Sequence, residues 1–164
     1  MLTESMEDYL EMIYRMIRER GSLRMVELAE ALDVQPSSIT RMIQKIDEAG
    51  LVRYEKYRNI VLTHRGEEIG RFLVWRDRML KAFLRALGAA RGVDVDGQVE
   101  GIEHYITPAT MCLIRNLVDY LHDNPERALE LRVMASGGGS LKYPDGIELA
   151  ELRAWNYRHV RDDG

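Results

Sequence analysis

Glu100-Gly101-Ile102-Glu103-His104 is the densest chemical stretch in the chain. Positions three and four apart share a helix face, so Glu100, Glu103 and His104 converge if the stretch is helical. Two carboxylates and one imidazole suit a hard or borderline divalent cation. Solvated helices also carry such triplets, so the spacing alone admits both a metal site and an ordinary polar face. Asp8 and Glu11 form a second acidic pair three residues apart. Here too a simpler reading exists: Glu11 can pair with Arg15 one turn on, and Asp8 can favour the positive end of a helix. His64, His122 and His159 stand alone. No Gly-rich phosphate loop or nucleophile motif accompanies them, so nothing points to an enzyme.

These residues need elements to bring them together. Met6, Leu10, Ile13 and Ile17 repeat at helical spacing and predict a first helix over Glu4–Arg20, ended by Gly21. A second helix is expected over Met25–Leu32, with Val26, Ala29 and Leu32 facing inward. Asp33-Val34-Gln35 reads as a turn, and Pro36 as the first residue of a third helix that buries Ile39, Ile43 and Ile46 and stops at Gly50. The period then changes. Leu51–Tyr54 and Ile60–Leu62 read as short strands joined by the polar tip at 55–59. Thr63 is a good cap for a long helix from His64 to about Leu87, with Ile69, Val74, Leu80, Phe83, Leu84 and Leu87 on its apolar face and Gly88 ending it. Asp96 is expected to cap a short helix reaching about Ile106, and Thr107-Pro108 to start another that ends at Asn124-Pro125. Beyond this the pattern weakens. Three consecutive glycines follow Ser136, Tyr143-Pro144-Asp145-Gly146 suggests a turn, and 147–157 is a candidate last helix.

The expected fold is therefore mainly α. A winged helix-turn-helix domain over 1–71 is followed by an all-helical dimerisation domain over 72–136 and a C-terminal tail over 137–164 with no assigned role. The chain has 164 residues, 46% of them hydrophobic and 30% charged, which is enough for a packed core. Its lone cysteine, Cys112, excludes an internal disulfide framework and reads as a buried filler thiol in Met111-Cys112-Leu113. No signal peptide or membrane span is legible, and a cytoplasmic protein is expected.

The net charge of −4 argues at first against nucleic acid. The local balance reverses that. Between Gln35 and Arg65 six basic residues stand against three acidic ones. A DNA face needs local positive charge, and helix, turn, helix, wing is the order of a winged DNA reader. The outward side of the third helix offers Ser37, Ser38, Thr40, Arg41, Gln44 and Lys45, and the wing tip adds Lys56 and Arg58. Hydroxyls and cations hold phosphates, while Gln and Arg can read base edges.

The stretches SMEDYLEMIY, AEALDVQPSSITRMIQKIDEAGLVRYEKYRNIVLT and VEGIEHYI resemble the diphtheria-toxin-repressor family of metal-dependent regulators, and most closely its manganese-responsive branch. The resemblance covers about the first 125 residues. It implies a homodimeric repressor of metal-uptake genes that grips a double-stranded DNA operator when manganese is bound. It also implies two nearby ions. Asp8, Glu100, Glu103 and His104 would hold one; Glu11, residue 77 and the shared Glu100 and Glu103 would hold the other. The branch has an aspartate at the position of Asp8, where the iron-responsive branch has methionine, and hard oxygen favours manganese. Residue 77 departs from the pattern: the branch usually has histidine there, and this chain has Asp77. Arg76, Arg78 and Lys81 lie near it, so Asp77 reads either as a hard ligand or as an ion-pair partner. An iron(II)-dependent repressor of the same family is the nearest alternative. A carboxylate-bridged di-metal enzyme is more distant, since it would need two Glu-x-x-His sets. A winged helix that binds protein instead of DNA is a third.

Overall fold

The computed structural model describes residues 2–54, 59–89 and 94–136. Seven helices and one two-stranded sheet are found among them. The order is α1 (Glu4–Arg20), α2 (Met25–Leu32), α3 (Pro36–Glu48), β1 (Val52–Arg53), β2 (Val61–Leu62), α4 (His64–Ala86), α5 (Val95–Ile102), α6 (Pro108–Asp123) and α7 (Pro125–Ser136), with a 3-10 turn over Glu103–Tyr105 between α5 and α6. The expected wing tip, with Lys56 and Arg58, and the expected last helix over 147–157 lie outside the described residues.

Local chemistry explains the element ends. Thr3 caps α1 by accepting from the Met6 amide, and Gly21 closes the helix in the left-handed region at φ 78°. Thr63 accepts from the Gly66 amide at 3.0 Å and donates to the Gly50 carbonyl at 2.7 Å, so it starts α4 and holds the wing against it. The strands pair antiparallel, with Val52 opposite Leu62 and Arg53 opposite Val61. Ile60 adds a bridge to Leu23, tying the wing to the segment ahead of α2.

Two cores form. Leu10, Ile13 and Met16 of α1 pack with Leu28 of α2, with Ile39, Ile43 and Ile46 of α3, and with Leu73 of α4. Further along, Leu80 packs with Val99 and Met111. Helix α4 thus belongs to both cores and runs from one to the other. Its approach to α1 is close: a Cβ built on Gly70 would stand 2.7 Å from the Tyr14 Cβ. No larger residue fits there without displacing the tyrosine, and this contact sets α1 alongside the stretch of α4 that carries Arg76 and Asp77.

Four local expectations are corrected. On α2 the buried residue is Leu28, while Val26 is 65% exposed; an eight-residue helix offers too few turns for periodicity to fix its inward face. Asp94, not Asp96, caps α5, accepting from Gly97 N at 2.9 Å. Asp96 instead reaches Lys81 Nζ at 2.7 Å. Cys112 is exposed, because α6 turns Met111 inward and leaves the next two residues outward. Helix α7 follows α6 at once, with Pro125 as its first residue where the sequence indicated only a stop.

Candidate metal centre and nucleic-acid interface

Helix α1 carries Glu7, Asp8, Glu11 and Arg15 on the side turned away from Leu10 and Ile13. Helix α4 carries Arg76, Asp77 and Lys81, and the end of α5 with its 3-10 turn carries Glu100, Glu103 and His104. The close packing of α1 on α4 brings the three groups together. One cleft is lined by Asp8, Glu11, Asp77, Glu100 and Glu103, with Arg15 and Lys81 at the same place.

Asp8, Glu100 and His104 each offer a ligand atom, and these atoms lie within 4.8 Å of one another. The His104 Nε2 stands 3.1 Å from Asp8 Oδ1. Its Nδ1 lies 3.0 Å from Glu7 Oε2 and 3.4 Å from Arg76 Nη2. A carboxylate can only accept, so the shorter contact assigns the Nδ1 proton to the bond with Glu7. That assignment fixes the ring and leaves Nε2 turned to Asp8. Glu103 is 3% exposed, and its Oε2 has no hydrogen-bond partner among the described residues. That oxygen faces the Arg76 Nε at 3.7 Å, and a buried carboxylate held so loosely among oxygen and nitrogen donors fits a divalent cation.

The electrostatics follow from this crowding. Burial pushes the Glu103 carboxyl up to about 7, against the pull of Arg76 and with a further push from Glu11. Burial likewise raises the Asp8 carboxyl; His104 opposes the rise, and Glu100 and Glu11 add to it. Burial alone would lower the His104 imidazole, but the hydrogen bond to Glu7 and the charge of Asp8 outweigh it, and the ring is raised.

The site has a second, cationic half. Arg76 is 4% exposed and donates to Glu7 at 2.9 Å, while its Nε stands 3.7 Å from Glu103 Oε2. Neither Glu7 nor the structural part of Arg76 is singled out by reading the sequence for metal ligands. The available signal was the spacing of Arg76 from Leu73 and Leu80, which puts it on the buried side of α4. Arg15 donates to Glu11 Oε1 and, at 2.7 Å, to Asp77 Oδ2. The other Asp77 oxygen lies 2.7 Å from Lys81 Nζ. Of the six acidic and histidine positions expected to bind metal, five line one cleft, and His104 adjoins it through Asp8 and Glu100, but Glu11 and Asp77 have cationic partners there. Arg78 is exposed and forms no described contact with Asp77.

On α3, Ser37, Ser38, Arg41, Gln44 and Lys45 are exposed, and Thr40 is half-buried. Ile39, Ile43 and Ile46 are fully buried beneath them, so the helix presents its polar side outward as one strip.

Residues 1–60 match the model of the iron-dependent repressor N-terminal DNA-binding domain, and residues 63–131 match that of the iron-dependent repressor metal-binding and dimerisation domain. The chain belongs to the iron-dependent repressor family. Among relatives in this family, the HTH-type transcriptional regulator MntR of Bacillus velezensis is 46% identical over 132 residues, covering 80% of this chain and 92% of that protein. MntR of Bacillus subtilis strain 168 is 44% identical over the same shares. Among solved structures, the manganese regulator SloR superposes with a TM-score of 0.61 at 22% identity, over 70% of this chain and 54% of that one, so this chain spans about half its length. ScaR with bound Zn2+ gives 0.59 at 25% identity, over 70% of this chain and 54% of that one. The likeness to SloR is a likeness of fold.

Proposed function

We propose that this protein is a manganese-activated DNA-binding repressor, dimeric, that controls metal uptake. The observation that carries the reading is the meeting of Asp8, from the family's DNA-binding domain, with Glu100 and His104, from its metal-binding domain, within 4.8 Å. A ligand held by this set must join the two domains. The hard oxygen of Asp8 and the MntR relatives favour manganese over iron as that ligand. We take residues 1–71 as the DNA-binding unit and 72–136 as the metal-binding and dimerisation unit, with Asp8, Glu100, Glu103 and His104 as the ligands.

A bound divalent ion supplies positive charge to the cleft and a coordination shell shared between the domains. Without it, Asp8, Glu100 and Glu103 repel one another across the junction of α1 with α5, which weakens that junction. Glu7 keeps the His104 ring in place with Nε2 toward Asp8. Fixing the junction fixes where α3 sits relative to the dimer axis. Two copies of α3 must reach successive major grooves about 34 Å apart. Ser37, Ser38, Thr40, Arg41, Gln44 and Lys45 then meet the DNA, with Lys56 and Arg58 of the wing on the flanking backbone. The second copy is expected to cover α6, where Leu113 is 70% exposed, Tyr120 52% and Leu117 39%. Among the described residues no helix is long and apolar enough to cross a membrane.

The test is DNA binding by the full chain against operators selected from a random duplex pool in the presence of manganese. Chelation should lower affinity at least about tenfold, a coupling of about 1.4 kcal/mol. Equal affinity with and without chelator defeats the switch. Stronger activation by iron(II) than by manganese, under anaerobic conditions, assigns the protein to the iron-responsive reading instead.

A further inference from the structure

The cleft holds two kinds of positive charge. In one half the ligand atoms of Asp8, Glu100 and His104 lie within 4.8 Å of one another, with His104 Nε2 3.1 Å from Asp8 Oδ1. A turn further along α1 and α4, Glu11 and Asp77 face each other with Arg15 between them. The Arg15 guanidinium donates to Glu11 Oε1 through Nε at 2.9 Å and through Nη2 at 2.6 Å, and Nη2 also reaches Asp77 Oδ2 at 2.7 Å. Lys81 takes the remaining Asp77 oxygen at 2.7 Å and leans on Asp96 at the same distance. Arg15, Lys81, Glu11 and Asp77 are at most one-third exposed, Glu11 and Asp77 much less, whereas Asp96 lies at the surface.

We propose that Arg15 is a built-in cation occupying the place of a second metal ion, so that this protein takes one divalent ion per chain. The inference rests on the reading of Asp8, Glu100, Glu103 and His104 as the metal centre. Its argument is charge and occupancy. Glu11 and Asp77 are already met by one guanidinium and one ammonium, the ammonium shared with Asp96, so most of the negative charge in that half of the cleft is compensated. Every Asp77 oxygen has a short partner, and so does one oxygen of Glu11. An ion entering there would have to break four charge-assisted bonds and stand beside two displaced cations of its own sign. The donor set at 77 therefore does not fit a metal. Arg15 instead fastens α1 to α4 whether or not metal is present. In consequence, the metal-dependent part of the junction is confined to the contact of α1 with α5, and metal activation should be a single-site event without cooperativity between two ions in one chain.

The test counts ions. Manganese is titrated calorimetrically into the metal-free full chain, and bound metal is measured independently after equilibrium dialysis. One ion per chain is expected for the wild type, and two exchange-coupled ions would be absent from its electron paramagnetic resonance spectrum. Asp77→Asn should leave the count at one and the affinity within about twofold. Arg15→Met, alone or with Lys81→Met, should open the second place and raise the count above one. Two ions bound by the wild type overturn the proposal. So does a count that stays at one in both the single and the double arginine and lysine variants, provided their helical circular dichroism matches the wild type. Should those variants fail to fold, the wild-type and Asp77→Asn counts still decide. No manganese bound by the wild type at all refutes the metal-centre reading itself, a result distinct from a count of two.

Discussion

Replacing Arg76 with methionine should destabilise the metal-free protein, and the deficit should grow with pH. Arg76 is a buried cation whose head meets Glu7 at 2.9 Å and stands 3.7 Å from Glu103. Removing one partner of a buried ion pair costs about 3–5 kcal/mol, because the other charge is left unmet. Two features reduce this. The Glu7 side chain is 23% exposed, so water can replace part of its lost partner. Glu103 can also escape by taking a proton, since its carboxyl already lies up at about 7. A net loss of about 2–3 kcal/mol is expected above neutrality, and for a chain of this size that lowers Tm by roughly 5–10 °C. The sign of the pH effect follows from Glu103. Its folded value is raised above the unfolded 4.5 to about 7. The folded chain therefore holds more protons in that interval, and its stability falls as pH rises from about 4.5 through about 7. Arg76 opposes this fall by favouring the ionised form. Without it the fall is steeper. Thermal melting in chelator, at about pH 5.5 and about pH 8, measures both proteins. A deficit equal at the two pH values, or a Tm change under about 2 °C at the higher one, would show that Arg76 does not serve the buried carboxylates.

Other consequences are as direct. Glu103→Gln should flatten the loss of metal-free stability between about pH 5 and about pH 8, since the amide does not titrate; an unchanged slope in melting experiments would mean that Glu103 is not the buried acid responsible. Asp8→Met exchanges a hard oxygen for a soft thioether and should move activation of DNA binding from manganese toward iron or cobalt; an unaltered metal ranking would remove Asp8 from the ligand set. Arg41→Ala or Gln44→Ala should weaken operator binding by about 1–3 kcal/mol each without altering manganese affinity, measured by fluorescence anisotropy, and wild-type binding by both would misplace the reading helix. Leu117→Glu on α6 should shift the protein from dimer to monomer in analytical ultracentrifugation; a dimer of undiminished stability would place the interface elsewhere.

What the sequence made legible is what short-range periodicity controls. The limits of α1, α2 and α3 follow from capping residues and apolar spacing, and so does the start of α4 at Thr63. The wing was legible because β-branched residues break the helical period on either side of a polar tip. The side-chain facts were harder. Asp94 and Asp96 both have the chemistry of a cap, and only the backbone φ and ψ decide between them; Asp96 is drawn to Lys81 instead. Cys112 lies in an apolar triplet, but consecutive helical residues point about 100° apart, so burying Met111 leaves Cys112 out. Helix α7 has a weakly patterned face, with Leu129, Val133 and Met134 all exposed, and periodicity had little to detect. The pairing of Glu7 with His104 joins residues 97 positions apart, and no local pattern reports a contact of that range.

The arrangement also bears on how one ion would act in the proposed switch. Glu7, Asp8, Glu11, Asp77, Glu100 and Glu103 lie in and beside the cleft, and among the described residues Arg15, Arg76 and Lys81 stand against them as permanent cations. The compensation is uneven. Glu11 and Asp77 are met, and they join α1 to α4, two helices that already share the N-terminal core through Leu10, Ile13 and Leu73. Glu7 is met by Arg76. Asp8, Glu100 and Glu103 keep the excess negative charge, and they lie where α1 meets the end of α5 and its 3-10 turn; among the described residues neither buried apolar cluster joins α1 to α5. Packing holds α1 to α4 regardless of conditions, whereas electrostatic repulsion acts where packing is weakest. Burial, the largest cause, raises the Asp8 and Glu103 carboxyls, with a smaller push from neighbouring carboxylates; protonation there at low pH lessens the repulsion and, on the proposed ligand set, would cost the site metal affinity, since ligands must be deprotonated to bind. On the proposed ligand set, metal and protons compete for the same junction, and manganese-dependent DNA binding should strengthen as pH rises through about 7. Operator affinity measured at fixed free manganese across that range would expose the competition; a flat profile would mean that the junction carboxylates are already ionised and that repulsion among them is not what metal relieves.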